Sequence, residues 1–130
     1  MFTGRRIRVV LADDHVIVRQ ALSRLLNGEP DIEVVGEAAE GREAVALTRQ
    51  MVPDVVIMDV SLQGMNGIEA TRVIHAELPS VHVIGLSMYD EREQAEAMRK
   101  AGAVNYVSKM APSDALIVAI RACRPGGAAS

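Results

Sequence analysis

The chain has 130 residues, the size of one ordinary domain with a single sizeable core. Hydrophobic residues make up 49% and charged residues 24%, a composition that is typical of a globular protein and excludes a disordered one. With 17 acidic residues against 14 basic ones, the net charge is −3, which disfavours binding of nucleic acid through its phosphates.

Segments that would target a membrane are absent from the sequence. No run approaches the ~18 apolar residues that a bilayer-spanning helix needs, and Asp13 and Asp14 interrupt the apolar stretch behind the N terminus before it reaches signal-peptide length. The lone Cys123 cannot form an internal disulfide and lies in a helical pattern, which fits a reduced setting and a buried packing role. We therefore expect a soluble, cytoplasmic protein.

Five segments with strand character alternate with five segments of helical periodicity. The strands are predicted at 7–12, 32–38, 55–59, 81–87 and 104–107. The helices are predicted around 18–26, at 41–51 and 67–78, from about 90 to 102, and around 116–123. Asp90 and Glu93 form a capping-box pattern at the start of the fourth helix. This alternation predicts a parallel sheet with right-handed crossovers and helices on both faces.

The strand at 55–59, Val55-Val56-Ile57-Met58-Asp59, is apolar without a break until it ends on a carboxylate. Such a run predicts a strand buried on both faces. The strand at 32–38 instead alternates in polarity, and it alone lacks a reactive residue at its end, so we expect it at the outer edge beside the first strand. The simplest order that gathers the other strand ends is 2-1-3-4-5, a flavodoxin-like, doubly wound α/β sheet.

Polar residues follow the four remaining strands: Asp13, Asp14, Asp59, Ser87 and Lys109. Three carboxylates at one sheet edge repel each other by about 4 kcal/mol per pair at 4 Å and an effective dielectric of 20. They must therefore stay partly protonated or hold a cation, and oxygen donors favour Mg²⁺ or Mn²⁺. The charges of three carboxylates, one divalent ion and one lysine sum to zero, so this end of the sheet could attract an anionic phosphoryl group. The lysine and the serine would then donate hydrogen bonds to the phosphoryl oxygens, and a carboxylate would act as the nucleophile.

Several ordered motifs resemble the receiver domain of bacterial two-component response regulators. They are Leu11-Ala12-Asp13-Asp14-His15, Ile57-Met58-Asp59, Leu86-Ser87-Met88-Tyr89-Asp90-Glu91 and Gly102-Ala103-Val104-Asn105-Tyr106-Val107-Ser108-Lys109. The resemblance covers residues 6–124, implies a CheY-like fold, and is strongest to the NarL/FixJ subclass, whose members usually carry a LuxR-type helix-turn-helix. Residues 125–130 then read as the start of a flexible linker toward an output domain absent from this chain.

The resemblance also implies a phosphorylation site. Asp59 would accept a phosphoryl group from a phosphohistidine on a sensor histidine kinase. Asp14 would bind Mg²⁺ directly and Asp13 chiefly through water, with the backbone carbonyl of Ser61 as a further ligand; Mn²⁺ would be a possible substitute.

The other residues that the resemblance assigns belong to the switch. Ser87 and Lys109 would contact the phosphoryl oxygens, and Tyr106 would turn inward as Ser87 moves toward the phosphate. The surface that responds would be the fourth helix, the fifth strand and the fifth helix. This surface would control an output, which we expect to be LuxR-type regulation of transcription. DNA would be bound only through the missing domain, and a homodimer would form on phosphorylation.

Some residues depart from the family pattern or have a simpler interpretation. Met110 follows Lys109 where many receivers have a proline in a cis peptide, so we expect a trans bond here. Tyr106 in a short edge strand is alternatively a half-buried packing residue. His15 is expected to be structural or solvent-facing; a role as a metal ligand is the less favoured alternative, because Mg²⁺ prefers oxygen ligands.

Two other functions compete with the phosphorylation switch. One is a Mg²⁺-dependent phosphatase or phosphotransferase with a catalytic aspartate, although the sequence has no cap insertion and its nucleophile candidate closes the third strand rather than the first. The other is a receiver-like interaction module that never takes phosphate, against which the intact set Asp14, Asp59, Ser87 and Lys109 argues. The switch itself would not be an enzyme beyond its own phosphorylation and dephosphorylation.

Overall fold

The computed structural model describes residues 5–62, 64–88 and 92–123, and within them five strands alternate with five helices. The strands are β1 (Ile7–Ala12), β2 (Ile32–Ala38), β3 (Val55–Asp59), β4 (His82–Ser87) and β5 (Asn105–Ser108). The helices are α1 (Val16–Asn27), α2 (Gly41–Met51), α3 (Gly67–Glu77), α4 (Arg92–Ala101) and α5 (Ser113–Arg121). Every predicted element is present, and β5 begins and ends one residue later than predicted. The predicted cap residue Asp90 and the predicted linker at 125–130 lie outside the described residues.

The five strands form one parallel sheet in the order β2-β1-β3-β4-β5, which confirms the predicted order. β2 lies at the edge and has three strand positions of intermediate burial and two exposed ones, in agreement with its alternating sequence. All five residues of β3 are buried, as its unbroken apolar run predicts.

Side chains alternate between two apolar layers along each inner strand, because successive residues of a strand point to opposite faces. In β3, Val56 and Met58 pack with residues of α2, α3 and α4, whereas Val55 and Ile57 pack with residues of α1 and α5. Cys123 is buried in the second of these layers, which confirms its packing role. Both faces of the sheet are therefore covered by helices, so a ligand can reach the sheet only at the ends of its strands.

Among the described residues, the longest helix is α1, with 12 residues. No helix in the described ranges combines the length and the apolar character that crossing a bilayer requires.

Candidate functional site

The strand register brings the predicted polar residues to one edge of the sheet. Ala12 pairs with Met58, so the next residues, Asp13 just after β1 and Asp59 at the end of β3, lie side by side. Ser87 pairs with Ser108, so Lys109 follows directly after that pair. This is the C-terminal edge, where open α/β sheets bind their ligands.

An acidic cluster forms at this edge. The side chains of Asp13 and Asp59 are 0% and 1% exposed, and Asp14 is also mostly covered. One potential ligand atom from each of Asp13, Asp14, His15 and Asp59 lies within 4.8 Å of the others. Carboxylates held this closely without a counter-charge would repel each other strongly, so the cluster needs positive charge.

Lys109 supplies positive charge inside the cluster. Its Nζ lies 2.8 Å from Asp13 Oδ2 and 3.1 Å from Asp59 Oδ2, and its side chain is only 6% exposed. Burial by itself lowers the pKa of Lys109, but the hydrogen bonds and the negative charges of Asp13 and Asp59 together outweigh it, so the pKa is raised above its ordinary value. The ammonium group is therefore firmly charged and joins the ends of β1, β3 and β5.

The loop after β3 fixes one oxygen of Asp59. The backbone N–H of Ser61 donates to Asp59 Oδ1 at 3.1 Å, and the Ser61 hydroxyl donates to the same oxygen at 3.2 Å. Gly67, the first residue of α3, donates its N–H to the carbonyl of Val60 at 3.0 Å. A side chain at position 67 would overlap the Asp59 carbonyl oxygen, so only glycine allows this close approach. The metal-ligand role for the Ser61 carbonyl stays a prediction.

Arg19 and His15 hold the loop after β1. Arg19 donates from its guanidinium to the backbone carbonyl of Asp13 at 2.7 Å and to Glu37 Oε1 at 3.1 Å. The backbone N–H of His15 donates to Asp13 Oδ1 at 2.9 Å. These contacts join α1 and β2 to the acidic loop, and the sequence interpretation did not assign Arg19 any role.

The two remaining predicted residues lie on the β4–β5 side of the site. Ser87 is buried at the end of β4, and its carbonyl accepts a hydrogen bond of 2.6 Å from the backbone N–H of Lys109. Tyr106 lies outside the acidic cluster: it pairs with Gly85 and is half-buried against the apolar layer that contains Met98. The peptide between Lys109 and Met110 is trans, as expected. The switch role of Tyr106 stays a prediction.

His15 combines the expected solvent-facing position with a ring nitrogen that lies within the acidic cluster. The ring is half exposed, which agrees with a solvent-facing position, but its Nδ1 lies 3.1 Å from Asp13 Oδ1 and 3.3 Å from Asp14 Oδ1. The only sequence signal for this contact was that His15 directly follows two acidic residues. The sequence does not indicate the direction in which the imidazole ring turns.

The donor set fits a divalent cation. Three carboxylates converge, and Asp14 Oδ1 is a buried atom that accepts no hydrogen bond from any described residue. Buried carboxylate oxygens without hydrogen-bond donors are stabilised by a metal ion, and oxygen-rich sets suit hard ions. The cluster is therefore able to hold a metal.

A five-stranded 2-1-3-4-5 sheet with acids and a lysine at its C-terminal edge defines an α/β domain of the receiver type. The family model described as "Response regulator receiver domain" matches residues 9–121. The chain therefore belongs to the response regulator receiver family, whose members serve phosphorylation-dependent signalling in two-component systems.

Individual relatives agree with this assignment. The chain is 42% identical to the transcriptional regulatory protein LiaR of Bacillus subtilis, over 92% of this chain and 57% of LiaR. A LuxR-family two-component response regulator from Aurantimonas has 39% identity and a TM-score of 0.86, with 90% of this chain and 84% of that chain covered. The response regulator domain of Thermotoga maritima CheB has 31% identity and a TM-score of 0.83, with 92% and 96% covered. The chain spans about half the length of the curated relatives it matches.

Proposed function

We propose that Asp59 is the phosphoacceptor of this receiver domain. The observation that carries the proposal is the pairing of Asp59 with two further carboxylates and with Lys109, whose Nζ lies 3.1 Å from Asp59 Oδ2. Asp59 Oδ1 is held by two donors from Ser61, so the two oxygens of the carboxylate have different surroundings. A fixed carboxylate beside positive charge is the arrangement that attack on a phosphoryl group requires.

In this proposal, Asp13, Asp14 and Asp59 hold Mg²⁺, with the Ser61 carbonyl as a further ligand and Mn²⁺ as a possible substitute. A bound divalent ion supplies charge neutralisation for an incoming phosphoryl group. Lys109 donates to a phosphoryl oxygen, and the Ser87 hydroxyl, buried at the end of β4, provides a second donor.

The donor is the phosphohistidine of a sensor histidine kinase. A carboxylate oxygen of Asp59 attacks phosphorus, a P–O bond forms, and the P–N bond to the imidazole breaks. The imidazole leaves with the electron pair of that bond and takes a proton from water to become neutral histidine, so no oxidant or reductant is needed. The reaction takes place in the cytoplasm, where ATP is available to the kinase, and the receiver is a switch whose own chemistry ends with loss of the phosphoryl group to water.

The proposed response passes from the phosphoryl group to the surface of α4, β5 and α5. Ser87 moves toward the phosphoryl oxygens, and Tyr106, which lies against Gly85, repacks as a consequence. Residues 6–124 form the receiver in this proposal, and a linker at 125–130 leads toward a LuxR-type output domain that binds DNA as a dimer. The greater length of the curated relatives supports an output domain.

The test is intact-mass measurement after incubation with acetyl phosphate and Mg²⁺. We expect one added phosphoryl group on the wild type, no gain for Asp59→Asn, and no gain when EDTA is present. Asp54→Asn is the matched control, because Asp54 precedes β3 and contacts Arg5 and Arg8 at the opposite end of the strand. Equal uptake by Asp59→Asn contradicts the proposal, and uptake by no variant under any condition favours the interaction module.

A further inference from the structure

His15 contributes the only imidazole among the potential ligand atoms of the described acidic cluster. Its Nδ1 lies 3.1 Å from Asp13 Oδ1, 3.3 Å from Asp14 Oδ1 and 3.9 Å from Asp59 Oδ2. In an octahedral site with bonds of ~2.1 Å, adjacent ligand atoms lie ~3.0 Å apart and opposite ones ~4.2 Å apart. The two shorter distances are close to the adjacent spacing and the third lies between the two values, so Nδ1 is near enough to the three oxygens to share an ion with them; Nδ1 also makes a hydrogen-bond contact with Asp13 Oδ1.

The backbone holds the ring in this position. His15 is the N-cap residue of α1 and has an extended conformation, with φ −83° and ψ 101°. Its N–H donates to Asp13 Oδ1 at 2.9 Å, which ties residue 15 to the carboxylate next to its own ring. The ring therefore turns back toward the acids. Because the ring is half exposed, its second nitrogen can remain in contact with solvent while Nδ1 binds an ion.

Two further observations mark the same point as a place for a cation. Asp14 Oδ1 is a buried oxygen that accepts no hydrogen bond within the described part of the chain. The ammonium of Lys109 also lies among the donors, 3.1 Å from His15 Nδ1 and 2.8 Å from Asp13 Oδ2. Positive charge is thus already held between the imidazole and the carboxylates.

We infer that His15 Nδ1 is a fourth protein ligand of this cation site and gives it affinity for divalent transition ions in the range Fe²⁺ to Zn²⁺. The inference builds on the proposed metal site at Asp13, Asp14 and Asp59. Imidazole suits these ions, whereas Mg²⁺ takes oxygen ligands almost exclusively. His15 therefore separates two classes of metal: it contributes to transition-ion binding and contributes little to Mg²⁺ binding.

The experiment uses Co²⁺ as the probe, on the full 130-residue chain. Proton NMR of the Co²⁺-loaded wild type is expected to contain a strongly shifted, exchangeable imidazole N–H resonance that disappears in D₂O. His15→Gln removes this resonance. His75→Gln, a change on the exposed face of α3, is the matched control and retains it.

Calorimetric titration with Co²⁺ and Mg²⁺ gives the second measurement. Loss of an outer-shell partner of a metal ligand costs about 10–100-fold in affinity, so loss of a ligand itself should weaken Co²⁺ binding by about tenfold or more. We expect Mg²⁺ affinity to change by less than about threefold, since Mg²⁺ does not depend on nitrogen. Thermal unfolding of His15→Gln and the wild type in EDTA confirms that both are folded.

The outcomes separate this inference from the proposed function. A Co²⁺-loaded wild type without the exchangeable resonance overturns the role of His15, as does an equal loss of Co²⁺ and Mg²⁺ affinity in His15→Gln. If Mg²⁺-dependent phosphorylation of Asp59 still occurs in either case, only the inference fails. Failure of the wild type to bind either ion overturns both.

Discussion

Lys109→Met removes the positive charge from the cluster while it keeps most of the apolar stem. In the wild type, Nζ lies 2.8 Å from Asp13 Oδ2 and 3.1 Å from Asp59 Oδ2, and the three side chains are 6%, 0% and 1% exposed. Removal of one partner from a buried ion pair costs about 3–5 kcal/mol, because the remaining charge is left uncompensated. We expect the lower end of this range, since the half-exposed His15 leaves one side of the cluster open to solvent.

Mg²⁺ is expected to reverse most of this loss. A ligand that binds only the folded state at 100 times its Kd adds about 2.7 kcal/mol to the free energy of unfolding. The ion also binds the variant more tightly, because it no longer competes with an ammonium group for the same oxygens. Because wild type and variant both gain this stabilisation, the difference between them narrows only by the ratio of their Mg²⁺ affinities: a Lys109→Met variant that binds Mg²⁺ about 30-fold more tightly closes the gap by about 2 kcal/mol, to about 1 kcal/mol.

The pH dependence has a defined sign. The pKa of Lys109 is raised above its ordinary value of 10.5, so the folded protein holds this proton more tightly than the unfolded chain does. The stabilisation is fully present below pH 10.5 and is lost as the pH rises through the raised value. The difference between wild type and variant should therefore stay constant from neutral pH to about pH 10 and decrease only above that.

Urea unfolding followed by far-UV circular dichroism measures these free energies in EDTA and in Mg²⁺. Lys100→Met, on an exposed position of α4, is the matched control and should stay within about 0.5 kcal/mol of the wild type. The reasoning is refuted if Lys109→Met is as stable as that control in EDTA, or if Mg²⁺ widens the gap instead of closing it.

Three other features give further predictions. Arg19→Met loses the donor to the Asp13 carbonyl, and calorimetry is expected to find Mg²⁺ binding about tenfold weaker. Gly85→Ala places a methyl group 2.8 Å from Tyr106 Cδ1, so we expect a loss of about 1–3 kcal/mol in urea unfolding and shifted Tyr106 ring resonances. Burial raises the pKa of the Cys123 thiol, so a disulfide reagent at pH 8 should react slowly with the native protein and rapidly in urea.

Each of these predictions has a matched comparison. Arg24→Met, on the exposed side of α1, should leave Mg²⁺ affinity unchanged, and an equal effect from both arginine variants would remove the specific role of Arg19. Gly36→Ala meets Leu47 at an ordinary 3.5 Å and should be tolerated, so an equal loss at Gly85 and Gly36 would contradict the steric reasoning. Fast reaction of the native thiol would contradict the burial of Cys123.

The sheet was predictable because burial leaves a direct trace in sequence. The unbroken apolar run at 55–58 follows from cover on both faces of β3, and the alternation at 32–38 follows from the edge position of β2. The strand order could be predicted because a reactive polar residue stands at or directly after the end of every strand except β2, which Ala39 follows. The one-residue shift of β5 was not predictable, since Val104, which is exposed before the strand, has the same strand propensity as Val107.

The side-chain contacts of the site were less predictable than its residues. Spacing in sequence placed Asp13, Asp59 and Lys109 at one edge, and the structure brings them within hydrogen-bonding distance. The direction of the His15 ring depends on an extended N-cap conformation and on a hydrogen bond to a neighbouring carboxylate, neither of which has a periodic signal. The same holds for Arg19, whose contact is with a backbone carbonyl that any residue at position 13 would present.

Locating the modified residue tests the central claim most directly. Borohydride reduces an aspartyl phosphate to homoserine, and tandem mass spectrometry of the digested protein then identifies its position. After incubation with acetyl phosphate, we predict homoserine at position 59 when Mg²⁺ is present and at no position when EDTA replaces it. Homoserine at other aspartates, or equal conversion of Asp59 without a divalent ion, would contradict a metal-assisted phosphoacceptor at the end of β3.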